Sequence, residues 1–226
     1  IMAGHAAPNI VEDGLVFSVD AANPRSYVSG SSNTFNLITP SITGSLKNDV
    51  AIIGNPISFH FGIDGVDDFI EINTTDLLNG ASQFTFTAWC YPISTNNNDM
   101  IIAWRNGSDY SFLGWGNDGN AFIQTTGSNK YRYSASNSIT GNKWNYIAAT
   151  GVTGTNLNIY VNGVLSNGTV DGTMSNLAQS SNIIFGNDPG FSRYWEGYQG
   201  PIQIYNRALS AQEVKQNYNA LKGRFI

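Results

Sequence analysis

Two stretches of this chain set aromatic rings beside amides, a guanidinium and carboxylates: Trp104-Arg105-Asn106-Gly107-Ser108-Asp109-Tyr110 and Trp115-Gly116-Asn117-Asp118-Gly119-Asn120. Tyr131-Arg132-Tyr133 follows, and Trp195 stands near the end in an expected Trp195-Glu196-Gly197 turn. A sugar offers an apolar CH face and a rim of hydroxyls. It is held by a flat ring flanked by hydrogen-bonding groups. Trp104, Arg105, Asn106, Tyr110, Trp115, Asn117 and Trp195 are therefore the candidate carbohydrate-binding residues. The competing reading is packing. Aromatic residues make up 12% of the chain, and such rings mostly fill cores. For Trp104, Trp115 and Trp195 core packing is the favoured of the two. Strand alternation puts Tyr110 and Phe112 on one face and Leu113 and Trp115 on the other, so one of these pairs must face a core.

Catalytic chemistry finds less support. Glycoside hydrolysis needs two carboxylates flanking the scissile bond. The four glutamates are Glu12, Glu71, Glu196 and Glu213, and none has an acidic partner two or four residues away along a strand. Asp67 and Asp68 are adjacent, so in a strand they would point to opposite faces. The only histidines, His5 and His60, offer no Ser–His–acid set. The single cysteine, Cys90, shares a strand face with Phe84, Phe86 and Ala88, the pattern of a small buried apolar residue. No catalytic residue is assigned, and the chain is expected to bind or build rather than to catalyse.

Asp64, Asp67 and Asp68 form a weak calcium candidate, because calcium takes carboxylate and turn-carbonyl oxygens. The favoured alternative is a turn in which the carboxylates satisfy local backbone N–H groups. Asp20 and Asn23 are a weaker group still. Zinc wants clustered histidine and cysteine, which this chain lacks. No cofactor is required, and calcium is the one ion left open.

These residues need a scaffold. The chain has 226 residues, a length that suits one β-sandwich domain. Charged residues are 12%, about half the usual share, with Gly, Asn, Ser and Thr in their place. The net charge of −5 argues against a nucleic-acid backbone and against an anionic membrane surface. No apolar run is long enough for a spanning helix, and no basic-then-apolar secretory signal opens the chain. Residues 1–13 read as an extended arm, 14–226 as one domain, and 21–48 as a long loop. Alternating strands are expected at 14–20, 84–91, 99–104, 110–115, 120–125, 130–135, 144–150, 156–161, 182–186 and 200–206. Phe59, Phe61 and Ile63 before Asp64-Gly65 suggest a hairpin, as does Asn162-Gly163. Ser210 and Glu213 are spaced as a capping box for a helix over 210–222, with Val214, Tyr218 and Leu221 forming its apolar stripe. The expected fold is all-β: a two-sheet antiparallel sandwich with a short C-terminal helix.

Five blocks in order sharpen this. They are Leu15-Val16-Phe17-Ser18-Val19-Asp20, Phe61 through Ile72 around Asp64-Gly65-Val66-Asp67-Asp68, Phe84-Thr85-Phe86-Thr87-Ala88-Trp89, Lys143-Trp144 through Thr150 with Ile159-Tyr160-Val161-Asn162-Gly163, and Trp195-Glu196-Gly197 through Leu209-Ser210. Together they resemble the laminin-G-like, concanavalin-A-like jelly-roll family. The opening Ile10–Tyr27 and the ending resemble its tailed-phage virion branch. That resemblance implies a jelly roll with Trp89 and Trp144 structural, displayed as a virion surface or decoration protein that adheres to host or environmental glycans. The alternative is a purely structural capsid, tail or fibre module without a ligand; a glycoside-acting enzyme is a distant third. The implied partners are other virion subunits, reached through the N-terminal arm in a multi-copy assembly. The implied location is the particle surface, extracellular after release. Where the family often carries aspartates in its last strand, this chain has Pro201-Ile202-Gln203, which departs from a calcium-holding pattern.

Overall fold

The computed structural model describes residues 8–226 except 56–57, 96–98, 108, 117, 126–129, 156, 189 and 192, and excepting the side chains of Asp109 and Asp171. In chain order the strands are β1 (Leu15–Val19), β2 (Asn33–Phe35), β3 (Thr43–Lys47), β4 (Ala51–Ile53), β5 (His60–Asp64), β6 (Phe69–Ile72), β7 (Gln83–Pro92), β8 (Asp99–Asn106) and β9 (Asp109–Trp115). They continue with β10 (Ala121–Thr125), β11 (Lys130–Ser134), β12 (Asn145–Val152), β13 (Asn158–Val161), β14 (Val164–Leu165), β15 (Asn167–Asp171), β16 (Ile183–Phe185) and β17 (Glu196–Tyr205). One α-helix, α1 (Ala211–Leu221), follows.

The first sheet runs β14-β13-β12-β7-β17-β5-β4, with β1 also on β17. The second runs β15-β11-β10-β9-β8-β16-β6-β3-β2. β17 organises the first sheet. One edge lies on β7, while the other pairs with β5 through residues 196–199 and with β1 through residues 202–205. Between the sheets, Phe17, Phe61, Phe86, Trp104, Leu113, Trp115, Ile147, Phe185, Trp195 and Ile204 interlock in one core. Burying one such side chain contributes about 1.5–3 kcal/mol, so this interior dominates stability. Cys90 lies in it beside Phe84, Phe86 and Ala88, as its alternation predicts.

α1 closes the outer face of the first sheet. The capping box forms: Ser210 Oγ accepts from Glu213 N at 3.3 Å, and Ser210 N donates to Glu213 Oε2 at 2.8 Å. Val214, with Tyr218 and Leu221, packs on Trp89, Tyr146, Tyr160 and Tyr205. The described part of the arm joins this layer. Val11 N donates to Asn217 Oδ1 at 2.7 Å, and Gln216 Nε2 donates to Asn9 O at 2.8 Å. Asn9 and Val11, within the expected arm, are thus held by this chain's own helix.

Three local expectations change. Residues 21–48 hold β2 and β3, a hairpin that extends the second sheet through β6; their Asn, Thr, Gly and Ser content hides the strands. Asp64-Gly65 is no hairpin turn, because β5 belongs to the first sheet and β6 to the second. Trp195-Glu196-Gly197 is not a turn: β17 begins at Glu196, directly after Trp195. Asn162-Gly163 does close a two-residue hairpin between β13 and β14, with φ of 51° and 76° as such a turn requires.

Candidate functional site

Among the described residues, no helix covers the outer face of the second sheet. On β9, alternation sends Leu113 and Trp115 into the core and leaves Tyr110 and Phe112 outside. Arg105 on β8 stands opposite Tyr110. On β10, Gln124 stands opposite Phe112 and also opposite Tyr131 of β11, while Phe122 is opposite Tyr133. Directly opposed residues share a face. Arg105, Tyr110, Phe112, Phe122, Gln124, Tyr131 and Tyr133 therefore form one band across four strands, roughly 15 Å wide at normal strand spacing. Tyr110 stacks on Phe112 with centroids 5.1 Å apart, and Phe122 and Tyr131 lie 5.8 and 5.3 Å from Tyr133. Gln124 Nε2 donates to the Tyr110 hydroxyl at 3.3 Å. Phe112 and Phe122 are enclosed by these neighbours, whereas Tyr110, Tyr131 and Tyr133 stay half-buried.

The band ends differently on its two sides. At Tyr133 it opens into a cleft of about 600 Å³ lined by Asp118, Asn120, Ser136 and Thr169. At Arg105 it meets the loop after β16. Arg105 Nε and Nη2 donate to the Asp188 carboxylate at 3.0 and 3.2 Å. Its guanidinium lies 4.9, 4.7 and 4.7 Å from the rings of Tyr110, Phe112 and Phe191. Arg193 lies over Phe191 as well, 4.0 Å from Asp188.

Of the residues picked out in the sequence, the structure brings Arg105 and Tyr110 together on this band. Trp104, Trp115 and Trp195 are not on it: all three are fully buried. Trp104 Nε1 donates to Ala178 O at 2.8 Å, and Trp115 meets Trp195 edge-to-face at 5.4 Å. Core packing, the favoured reading for these three rings, is what the structure shows, and their candidacy as carbohydrate-binding residues is corrected; between two sheets they bury their whole area. Asn106 is exposed but ties down Ser180, Oγ at 3.1 Å from its Nδ2. Asn117 lies outside the described residues. Phe122, Gln124, Phe191, Arg193 and the buried Asp188 were not picked out. Period-two alternation on β10 could have exposed Phe122 and Gln124, but nothing local couples residue 105 to residue 188.

Asp64 Oδ1 accepts from the N–H groups of Val66, Asp67 and Asp68 at 2.8, 3.3 and 3.4 Å. Asp68 Oδ2 accepts from Asp64 N at 3.2 Å. This is the turn reading of the cluster, and the backbone N–H of Val66 leads the contacts that lower the Asp64 pKa. Ligand oxygens of Asp64, Asp67 and Asp68 lie within 4.8 Å of one another, so a hard cation would find them in reach. Burial, then the Asp64 charge, raises the Asp68 pKa to about 6. The structure also sets Glu196 opposite Asp64 across β17 and β5, a carboxylate pairing that spacing along one strand could not reveal. Within that pair Asp64 is committed to three backbone N–H groups, which lower its pKa.

Two antiparallel sheets sealed over one core, with a single capped helix, define a concanavalin-A-like jelly roll. The chain belongs to the concanavalin A-like lectin/glucanases superfamily, whose laminin G model matches residues 64–215. It is similar to the binding domain of Paraclostridial Mosquitocidal Protein 1 (19% identity, TM-score 0.71), covering 92% of this chain and 52% of that one. The binding domain of botulinum neurotoxin serotype D/C VPI 5993 matches at 15% identity and TM-score 0.71, over 92% and 52%. Domain 4 of AbnA, a GH43 extracellular arabinanase from Geobacillus stearothermophilus solved with arabinotriose, matches at 16% identity and TM-score 0.64, over 90% and 98%. The chain thus spans about half of each toxin domain and nearly all of the arabinanase domain; at these identities the likeness is one of fold. No curated protein matches the chain.

Proposed function

We propose that this chain is a carbohydrate-binding module, not an enzyme, and that its site is the outer band of the second sheet. The observation that carries this is the contiguity of Tyr110, Gln124, Tyr131 and Tyr133 on a sheet face without a helix, running into the polar cleft at Asp118 and Asn120. Half-buried rings offer stacking for sugar CH faces, and the amides, hydroxyls and Arg105 offer partners for hydroxyls. The arabinanase domain of the same fold, solved with a bound trisaccharide, supports the class of ligand. One shallow site binds weakly, and many copies supply avidity.

Display on a phage virion is part of the same proposal. It rests on the resemblance of the opening and closing segments. The same resemblance assigns contact with other virion subunits to the N-terminal arm, of which Asn9 and Val11 also bond α1. A glycan array probed with multimerised protein tests the binding reading. Specific signals that vanish in a Tyr110→Ala/Tyr133→Ala double variant are expected. A blank array with correctly folded protein would leave the purely structural reading in its place.

A further inference from the structure

We propose that the Arg105 end of the band recognises a carboxylate, so that the preferred glycans are acidic: saccharides carrying a uronic or sialic acid. This rests on the carbohydrate-binding reading and names its ligand class. Two guanidiniums, Arg105 and Arg193, share one carboxylate here, Asp188. Asp188 is completely enclosed, so it braces Arg105 from within and cannot meet a ligand. Among the described side chains the site therefore keeps one uncompensated positive charge, in a chain whose net charge is −5.

The geometry makes that charge usable. Three rings hold the Arg105 fork in one orientation while Asp188 takes its Nε and Nη2. The loop is shaped for this approach: a Cβ on Gly190 would stand 2.2 Å from Arg105 Cδ. Arg193 is the available partner. Its side chain is 38% exposed, it makes no hydrogen bond among the described residues, and its 4.0 Å contact with Asp188 is too long for one. Its guanidinium is laid on Phe191, a residue that is 60% exposed. A sugar lying against the exposed part of Phe191 would bring a carboxylate to the fork of Arg193. A planar fork matches a carboxylate in two parallel hydrogen bonds, which neutral hydroxyls cannot reproduce.

The test compares matched ligands by calorimetric titration of the whole chain. Oligogalacturonides are set against their methyl esters, and sialyllactose against lactose; the two pairs separate uronic from sialic recognition. In at least one pair the acid is expected to bind about tenfold or more tightly at low salt, the scale of one charge-assisted pair. The ratio should shrink as salt rises. Arg193→Gln should bring it near one with the neutral ligand unchanged, whereas Tyr133→Ala should weaken both members alike. Equal binding of acid and neutral partner, an unchanged ratio in Arg193→Gln, or equal binding of a sulfated sugar would overturn the carboxylate assignment and leave carbohydrate binding standing. No binding of any member, with a blank array, would remove both.

Discussion

Asn217 on the helix donates through Nδ2 to the hydroxyl of Tyr205 on β17 at 2.8 Å, deep in the layer between α1 and the first sheet. The Tyr205 hydroxyl in turn donates to Val11 O at 3.0 Å, and Val11 N donates back to Asn217 Oδ1 at 2.7 Å. The N-terminal arm is thereby closed with β17 and α1, about 200 residues further along the chain, in one ring of buried hydrogen bonds. Asn217→Ala would leave a buried N–H and a buried hydroxyl short of partners, at a cost of roughly 2–4 kcal/mol. Lys215→Ala, exposed on the same helix, should change stability by less than about 0.5 kcal/mol. Urea midpoints of the two variants check this, and equal midpoints would show that the ring contributes nothing.

The capping box is reinforced by Arg207, whose Nη1 and Nη2 reach the Glu213 carboxylate at 3.1 and 2.6 Å. Ser210→Ala should lose about 1 kcal/mol. Arg207 chiefly holds the Glu213 pKa at about 2, below its ordinary 4.5. A depressed acid stabilises the fold above its unfolded pKa, so this contribution is present at pH 5 and fades as pH falls from about 4.5 towards 2. Melting measured across that range should show a decline that is smaller in Glu213→Gln.

Two other acids act in the opposite sense. Burial, with the Asp64 charge next, raises Asp68 to about 6; burial, with Glu196 contributing, raises Asp99 to about 7. Each costs nothing while protonated in both states. Stability falls as pH rises from the ordinary carboxylate range through these values. The protein should melt higher near pH 5 than at pH 8, and Asp99→Asn should flatten that slope. A slope unaltered by the substitution would mean that Asp99 is not its source.

Trp104 and Trp144 separate core from surface packing. Trp104→Ala should cost about 3–5 kcal/mol as a full core truncation. Trp144 sits just before β12, half-buried against His60, Tyr91 and Phe225 at 5.1, 5.7 and 4.5 Å. Its truncation should cost clearly less, a revision of the full-core cost its family position implies. Chemical denaturation of both variants decides the order.

The acidic turn gives a direct ion test. Because Asp64 already serves three N–H groups, millimolar calcium is expected to leave the melting temperature unchanged, while Asp64→Ala should lower it. A calcium-dependent rise would show that Asp64, Asp67 and Asp68 bind the ion.

Sequence alone determined the class of fold and its punctuation. Period-two alternation assigns the inner face of β7 and both faces of β9, because successive strand side chains must oppose. Ser210 with Glu213 marks the helix, because a cap acts within one turn. Asn162-Gly163 marks a hairpin, because both positions need positive φ. Each of these is a local rule acting over a few residues. Only the tertiary structure decided which way each face looks. Trp104, Trp115 and Trp195 read alike as rings for packing or for a ligand until two sheets closed over them. Asp64-Gly65 read as a hairpin until β5 and β6 went to different sheets. The band from Arg105 through Tyr110 to Tyr133, with Arg193 at its end, is assembled by strand pairing and one loop, across separations of up to about ninety residues. Such contacts are fixed by global burial and by the closure of both sheets on a shared core, a constraint that no short window of sequence contains.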